Sequence, residues 1–325
     1  MSRTMKAIVV RRTGGPDVLA LEDSRVPEPG AGEVRIRVVM VGVNFTDGEG
    51  RQGLSPKTLP WIPGIEAAGV VDALGDGVAP SWRGRRVAAT GRSTYAEAIV
   101  AGVGDLMPLP DGVTWEQAAA CPIQGSTAYH MLHSAVRIRA GETVLVHAAA
   151  GGTGSWCVQL AVRAGARVFG ACSTAAKVDA ARAFGAEDAF VYGPDLAERI
   201  RARTGGRGVD VVLDSVGRDT QEASLAALAP FGRLIHFGTA SGAPALVDVE
   251  RLYDKSISVG AYWLLTPHRP AAVRAATATL LGGLADGSLR APVTRVYTLA
   301  EAAAAHQALD SRASQGKLLL RVGEA

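Results

Sequence analysis

The chain has few cysteines, little net charge and no long apolar run. Cys121, Cys157 and Cys172 are its three cysteines; they are widely spaced and form no CxxC pair. That excludes a disulfide framework and a four-cysteine zinc site. Net charge is only +3 over 325 residues. The densest basic run, Arg199, Arg201 and Arg203 with Arg207, has no aromatic residue between its arginines. It reads as the exposed face of a helix, so nucleic acid is not an expected partner. No segment has the length and polarity of a membrane span, and Met1–Lys6 leads directly into a strand-like run without a secretory pattern. A cytoplasmic protein with no membrane partner is the expectation.

What the chain does contain is apolar sequence, 48% hydrophobic against 20% charged residues, enough to fill the cores of two domains. The most informative stretch runs from Val144 through His147 and Ala149-Ala150-Gly151-Gly152-Thr153-Gly154 to Ala164. It predicts a buried strand, a tight turn and a helix that starts at the turn. Such a turn aims unpaired N–H groups and the positive end of a helix dipole at one point, which suits a pyrophosphate. The pattern is AxGxxG, with Ala149 at the first glycine position of the dinucleotide fingerprint. Gly151 allows close approach to the phosphates, and Gly154 allows the helix to pack on its strand.

The following strand, Arg167–Ala171, leads to Ser173, where an NAD site usually places an acid. Ser173 is neutral and Lys177 lies four residues on. A hydroxyl with an ammonium fits a 2′-phosphate, which a carboxylate would repel, so NADPH is the expected cofactor. Taken singly, the two residues also read as a helix-capping serine and a solvated lysine.

The first third reads as β-rich, with short runs at Met5–Val10, Val34–Val41, Ala67–Val71, Arg86–Ala89 and Tyr95–Val100, punctuated by Pro and Gly. The middle third alternates strand and helix. Strands are predicted at Val144–His147, Arg167–Ala171, Ala189–Val191, Val209–Leu213, Leu234–Phe237 and Ile257–Val259, with helices between them such as Gln221–Leu228. This order predicts an α/β fold with a doubly wound parallel sheet. The end of the chain predicts helix Pro270–Ala285, strand Thr294–Leu299, helix Glu301–Asp310 and strand Lys317–Val322. These elements are expected to return to the N-terminal domain. Residues 1–124 and 266–325 would then form a β-rich catalytic domain, and residues 125–265 a Rossmann NADPH-binding domain.

Several ordered motifs carry a family resemblance: Val43-Asn44-Phe45-Thr46-Asp47, Leu59–Gly69, Leu109–Thr114, Gly125–Tyr129, the turn to Gly154, Ser173, Lys177, Tyr192 and Gly316-Lys317. The chain resembles the medium-chain dehydrogenase/reductase superfamily, specifically its zinc-free quinone oxidoreductase branch of the zeta-crystallin type. The resemblance implies a GroES-like (chaperonin-10-like) catalytic domain beside the Rossmann domain. At the positions where zinc-dependent relatives have ligand cysteine and histidine, this chain has Asn44 and Ile65. Neither replaces a thiolate or imidazole, so no metal is expected. Glu66 reads as a buried structural carboxylate, and His130 with His133 as packing or surface residues.

The resemblance further implies Asn44 and Thr127 beside the nicotinamide, with Asn44 as a catalytic donor able to polarise an acceptor oxygen, or else fixing its own loop. Gly151, Gly152 and Thr153 would contact the pyrophosphate, and Ser173, Lys177 and Tyr192 the adenosine phosphate. Ser215 and Gly217, Gly238, and Tyr262 with Trp263 would line the cofactor along successive strand ends, and Lys317 would reach it from the other domain. Arg51 reads as a loop arginine that binds substrate or faces solvent. Gly48-Glu49 and Ser55 stand where the quinone reductase pattern commonly has aromatics, which implies a more open or polar pocket.

The implied activity is NADPH-dependent, zinc-independent hydride transfer to a quinone or α,β-unsaturated carbonyl. Two alternatives stay open at this point. One is an enoyl-thioester reductase, which usually takes a tyrosine donor from the segment that is here Asp47–Ser55 and holds none. The other is a non-enzymatic NADPH-binding structural or RNA-associated protein. A homodimer is implied, formed through the segments around Ala243–Val249 and Ile257–Val259.

Overall fold

A computed structural model of the chain describes residues 3–265 and 270–323. The chain divides into two compact units, Met1–Ser126 with His268–Ala325, and Thr127–Pro267.

The first unit begins with a two-stranded antiparallel ribbon, β1 (Thr4–Val9) and β2 (Ala20–Arg25). Its main sheet is built on β3 (Glu33–Gly42), whose sequence EVRIRVVMVG alternates charged and apolar residues in its first half, is apolar throughout its second, and is buried at nearly every position. β4 (Glu66–Leu74), β5 (Arg86–Thr90) and β7 (Leu106–Pro108) extend the sheet on one side, and β6 (Ala98–Gly102) pairs with the first half of β3. After the second unit, helix α8 (Pro270–Ala285) leads to β14 (Val293–Thr298), helix α9 (Ala302–Asp310) and β15 (Lys317–Arg321). β15 pairs antiparallel with β3 through Leu319, Leu320 and Arg321, so both chain ends build one sheet. Its core gathers Ile8, Val34, Ile36, Val41, Tyr95, Ile99, Leu318 and Leu320.

Several elements of this unit differ from the sequence reading, β7 among them. β2 is a strand where none was predicted. The segment after Asn44, read as a loop, is a helix, α1 (Phe45–Gln52). Gly48 and Gly50 give it low intrinsic propensity, yet its ends are fixed. The Asn44 N–H donates to Asp47 Oδ2 at 2.9 Å, and Gly53 closes the helix in the left-handed region at φ 83°. Two shorter helices follow, α2 (Trp115–Ala119) and α3 (Gln124–His130).

The second unit is a six-stranded all-parallel sheet. Its strands are β8 (Thr143–His147), β9 (Arg167–Cys172), β10 (Asp188–Val191), β11 (Val209–Asp214), β12 (Leu228–His236) and β13 (Ser258–Ala261). Their spatial order, β10-β9-β8-β11-β12-β13, is the doubly wound 3-2-1-4-5-6 arrangement. Helices α4 (Gly152–Arg163), α5 (Ala175–Ala183), α6 (Leu196–Arg203) and α7 (Arg218–Ala227) connect them. β8 is buried at all five positions, as a central strand covered on both faces must be. β12 begins at Leu228, six residues before the predicted start, and the helix read as running to Leu228 ends at Ala227. Among the described residues no helix is long and apolar enough to cross a membrane.

Candidate active site

In the Rossmann unit the sequence-predicted residues gather at the carboxyl ends of the parallel strands, where such sheets bind ligands. β8 ends at His147, and Ala148 then takes a left-handed conformation at φ 47°. Its carbonyl accepts from the Gly151 N–H at 2.8 Å, closing the turn. α4 starts at Gly152, so the N–H groups of Gly152 and Thr153 have no acceptor within the helix. A Cβ on Gly154 would lie 2.2 Å from Ala148 O, which only glycine avoids. This cradle fits a pyrophosphate.

Ser173 is exposed just beyond β9. Thr174, not Ser173, caps α5, its hydroxyl accepting from the Lys177 N–H at 3.4 Å. Ser173 is thereby left out of the capping role that the sequence kept open for it. Burial lowers the half-buried Lys177 from its ordinary value. The Tyr192 hydroxyl accepts from the Ala148 N–H at 2.9 Å, and burial pushes its own titration up, so it stays protonated. Beside Tyr192 a cavity of about 640 Å³ is lined in part by Leu196, Ala197, Val216 and Ala223.

Asp214 ends β11 fully buried and organises the loop that follows. Its carboxylate accepts from the Val216 and Gly217 N–H groups and from the Thr220 and Ser224 hydroxyls, at 2.7 to 3.1 Å. Burial opposes its charge, but the His147 ring and these donors outweigh that and hold it below the usual carboxylate range. Gly217 sits at φ 96°. Gly238, after β12, comes so close to Ser215 that a Cβ would stand 2.9 Å from the Ser215 carbonyl. Tyr262 and Trp263 follow β13, and Thr127 lies half-buried in α3. His130 bonds Ser134 at 3.0 Å and packs edge-on against Tyr129, as a packing residue would. The basic run is paired locally, Arg199 with Asp195, Arg203 with Asp188 and Arg207 with Asp210.

The β-rich unit holds a buried polar network around Asn44. The Lys317 ammonium donates to Asn44 Oδ1 at 2.8 Å and pairs with Glu66 Oε1 at 2.5 Å, both side chains 0% exposed. The Asn44 amide donates to Glu66 Oε1 at 2.8 Å and to the Gly42 carbonyl at 3.3 Å. Glu66 Oε2 accepts from the Ile123 N–H. Behind them, Asp47 accepts from the Asn44 N–H and the Tyr95 hydroxyl, and Tyr95 meets His306 Nε2 at 3.1 Å. Burial lifts Asp47 to about 6 against the pull of the Asn44 N–H, Lys317 and Tyr95. Burial, with Arg51 nearby, drops His306 to about 3.

This geometry bears on three expectations. Asn44 was read either as a donor to an acceptor oxygen or as fixing its own loop; both its amide hydrogens are taken by Glu66 and Gly42, which favours the second. Lys317 was expected at the cofactor, but its ammonium is buried and held by Glu66 and Asn44. Arg51 was a candidate substrate ligand, but it is fully buried and bonds Asp310 at 2.5 Å and the Gly14 carbonyl at 2.7 Å. Thr46 was not singled out by the sequence reading. It lies in the first turn of α1 beside Asn44, and its buried hydroxyl has no hydrogen-bond partner among the described residues. Its place inside the Asn44–Asp47 motif was the only signal for it.

Zinc does not fit this network. Asn44 and Ile65 supply no thiolate or imidazole, and Glu66 is already paired with the Lys317 side chain. Among the described residues no three His, Cys, Asp or Glu side chains converge as a metal site.

Comparison with known proteins agrees with this architecture. The alcohol dehydrogenase GroES-like domain family matches residues 30–122, and the zinc-binding dehydrogenase family matches residues 152–280. A quinone oxidoreductase of Pseudomonas aeruginosa is 38% identical over 97% of this chain and 99% of its own. A 2-haloacrylate reductase of a Burkholderia species is 35% identical over 97% and 98%. A mycobacterial protein solved as a complex with NADPH superposes with a TM-score of 0.93 at 38% identity, covering 98% of this chain and all of that one. A GroES-like unit and a doubly wound nucleotide-type unit in one chain define a medium-chain dehydrogenase/reductase. Within that superfamily, the chain belongs to the quinone oxidoreductase branch.

Proposed function

We propose that this chain is an NADPH-dependent, zinc-independent reductase of a quinone or an α,β-unsaturated carbonyl compound, with Thr127–Pro267 as its cofactor-binding unit and the β-rich unit as its catalytic one. The observation that carries the reading is the turn at Ala148–Gly154 together with Ser173 and Lys177 one strand away, where no carboxylate stands. The mycobacterial relative's NADPH supports it, as do the reductase names of the two bacterial relatives.

When bound, NADPH would supply the hydride. The N–H groups of Gly152 and Thr153 would take the pyrophosphate, and Ser173 with Lys177 the 2′-phosphate. Val216, Leu196 and Ala223, beside Tyr192, would offer the adenosine an apolar wall. Reduction of a carbonyl-conjugated acceptor builds negative charge on its oxygen, and a preorganised donor lowers that cost. With the Asn44 amide saturated, we assign that donor role to the Thr46 hydroxyl. The 2-haloacrylate reductase relative favours a conjugated carbonyl over an enoyl thioester, since no tyrosine stands between Asp47 and Ser55. A homodimer through the β13 edge fits the exposed Leu246, Val249 and Tyr253 nearby.

NADPH oxidation with a panel of quinones and enones tests the reading. Turnover with at least one acceptor, undiminished by chelator, is expected. Tight NADPH binding with no turnover on any acceptor would favour a non-enzymatic role. Lys177→Ala is expected to weaken NADPH about tenfold and leave NADH within about twofold, the loss of one charge-assisted phosphate contact.

A further inference from the structure

The fold of the β-rich unit uses only one side of α1. Asp47 meets Tyr95, Gly50 abuts the Trp61 ring so closely that a Cβ would stand 2.7 Å from it, and Arg51 bonds Asp310. At about 100° per residue the opposite side carries Phe45, Glu49 and Thr46, with Glu49 about 40° from Phe45 and about 60° from Thr46. Phe45 is 42% exposed. Glu49 is half-buried. Its backbone carbonyl accepts from the Leu54 and Ser55 N–H groups at 2.9 and 3.3 Å, which folds the segment after α1 back beside it. Among the described residues its carboxylate makes no hydrogen bond and no ion pair. Burial lifts that carboxylate above its ordinary value, and Lys57, its ammonium 3.4 Å from Ser55 Oγ, draws it back.

We infer that Glu49 is a specificity-determining residue that selects acceptors without a negative charge: its carboxylate shares the Thr46 face of α1 and repels an acceptor that carries a carboxylate or sulfonate. The inference rests on the assignment of the Thr46 hydroxyl to the acceptor oxygen. Side chains three apart on a helix are neighbours, their Cβ atoms about 5–6 Å apart. An acceptor whose oxygen takes the Thr46 hydroxyl therefore brings its substituents within a few ångströms of Glu49. At that range two like charges repel enough to change a rate constant several-fold, even with water nearby. A neutral acceptor meets no such repulsion, and the exposed Phe45 ring on the other side of Glu49 offers it apolar contact. The face thus suits an uncharged, partly apolar ketone or quinone better than an anionic one.

The test compares matched acceptors in wild type, Glu49→Gln and Glu49→Ala. Any acceptor that wild type reduces is paired with its anionic derivative: 1,2-naphthoquinone with its 4-sulfonate, or methyl 4-oxopent-2-enoate with the free carboxylate. The quantity read is kcat/KM for the anionic member divided by that for the neutral one, with NADPH saturating and the pH high enough to ionise a carboxylate. Intrinsic reactivity then cancels when enzymes are compared. Glu49→Gln removes the charge and keeps the shape, and Glu49→Ala removes both while favouring the helix. The ratio should rise about three- to tenfold in each variant. A merely structural role would change both members of a pair alike. A ratio unchanged or lowered in Glu49→Gln overturns the inference. So does a rise in Glu49→Ala alone with both variants folded, since that makes Glu49 a steric wall. Should Glu49→Gln not fold, Glu49→Ala decides, a rise supporting the inference and its absence overturning it. Wild-type protein that oxidises NADPH with no acceptor at all brings down the reductase reading, and this inference with it. Turnover with a ratio indifferent to Glu49 brings down this inference alone.

Discussion

Lys317 and Glu66, 251 residues apart, form an ion pair from which solvent is wholly excluded, Nζ to Oε1 2.5 Å with both side chains at 0% exposure. Asn44 completes it, giving its carbonyl oxygen to the lysine and an amide hydrogen to the carboxylate. Removing one charge from such a group leaves the other buried and uncompensated. Lys317→Met is expected to cost about 3–5 kcal/mol in urea unfolding. The double variant Glu66→Gln with Lys317→Met should recover a substantial part of that loss. If the single variant unfolds like wild type, the pair is not what holds β4 and β15 to the Asn44 segment.

Asp47 gives the stability of the protein a definite pH dependence. Its ordinary value of 3.8 is lifted by burial to about 6 in the folded chain. Between those values the folded state holds a proton that the unfolded chain has released, so this group's contribution falls as pH rises. The penalty, on the order of 3 kcal/mol, is complete above about pH 6 and relieved below about pH 4. Asp47→Asn removes the ionisation. Unfolding free energies from pH 4 to 7 should show wild type losing stability relative to this variant, and parallel curves would refute the assignment.

Arg51 acts on the fold rather than on substrate. Its guanidinium ties α1 to Asp310 at the end of α9 and to the Gly14 carbonyl. Arg51→Met should lose roughly 2–4 kcal/mol in denaturant unfolding. In the folded fraction, KM for the acceptor should stay within about twofold of wild type, the size of a perturbation without a lost contact. A large rise in KM at unchanged stability would return Arg51 to the substrate.

Thr46 and Asn44 are separable by kinetics. If the Thr46 hydroxyl stabilises charge on the acceptor oxygen, Thr46→Val should lower kcat about 10- to 1,000-fold with little change in NADPH affinity. The swap keeps the side-chain volume, and among the described residues the hydroxyl has no partner to lose, so stability should be little affected. An unchanged kcat would remove Thr46 from the chemistry.

Gly154 tests the turn itself. A methyl group there meets the Ala148 carbonyl at 2.2 Å, so α4 must shift away from β8. Gly154→Ala should destabilise by about 1–3 kcal/mol and weaken NADPH and NADH alike. Thermal shift with each dinucleotide reads both effects.

Much of the fold was legible because it is local. The apolar run Val144–His147, the glycines of the turn and the helix after them sit in consecutive sequence, and the alternation of strand and helix that follows admits only a parallel sheet. Ser173 and Lys177, proposed above for the 2′-phosphate, come from the same local stretch. α1 was not. Its glycines argue against a helix, and what makes it one is the Asn44–Asp47 cap and the burial of Arg51 against a residue 259 positions away. The donor reading of Asn44, the substrate reading of Arg51 and the cofactor reading of Lys317 conflict with the geometry for one common reason. Sequence shows that a side chain can donate a proton or carry a charge, but not whether a distant partner has already taken it.

The sequence by itself determined the alternation of strand and helix in the second unit, the glycine turn and the residue types at Asn44 and Ile65, since each depends on residue type and spacing along the chain. Only the tertiary structure decided which polar groups are already paired inside the protein. Glu66 with Lys317, Asp47 with Tyr95, and Tyr192 with Ala148 are brought together by sheet register and helix packing. Once buried, such groups must find one another, because no water is present to satisfy them.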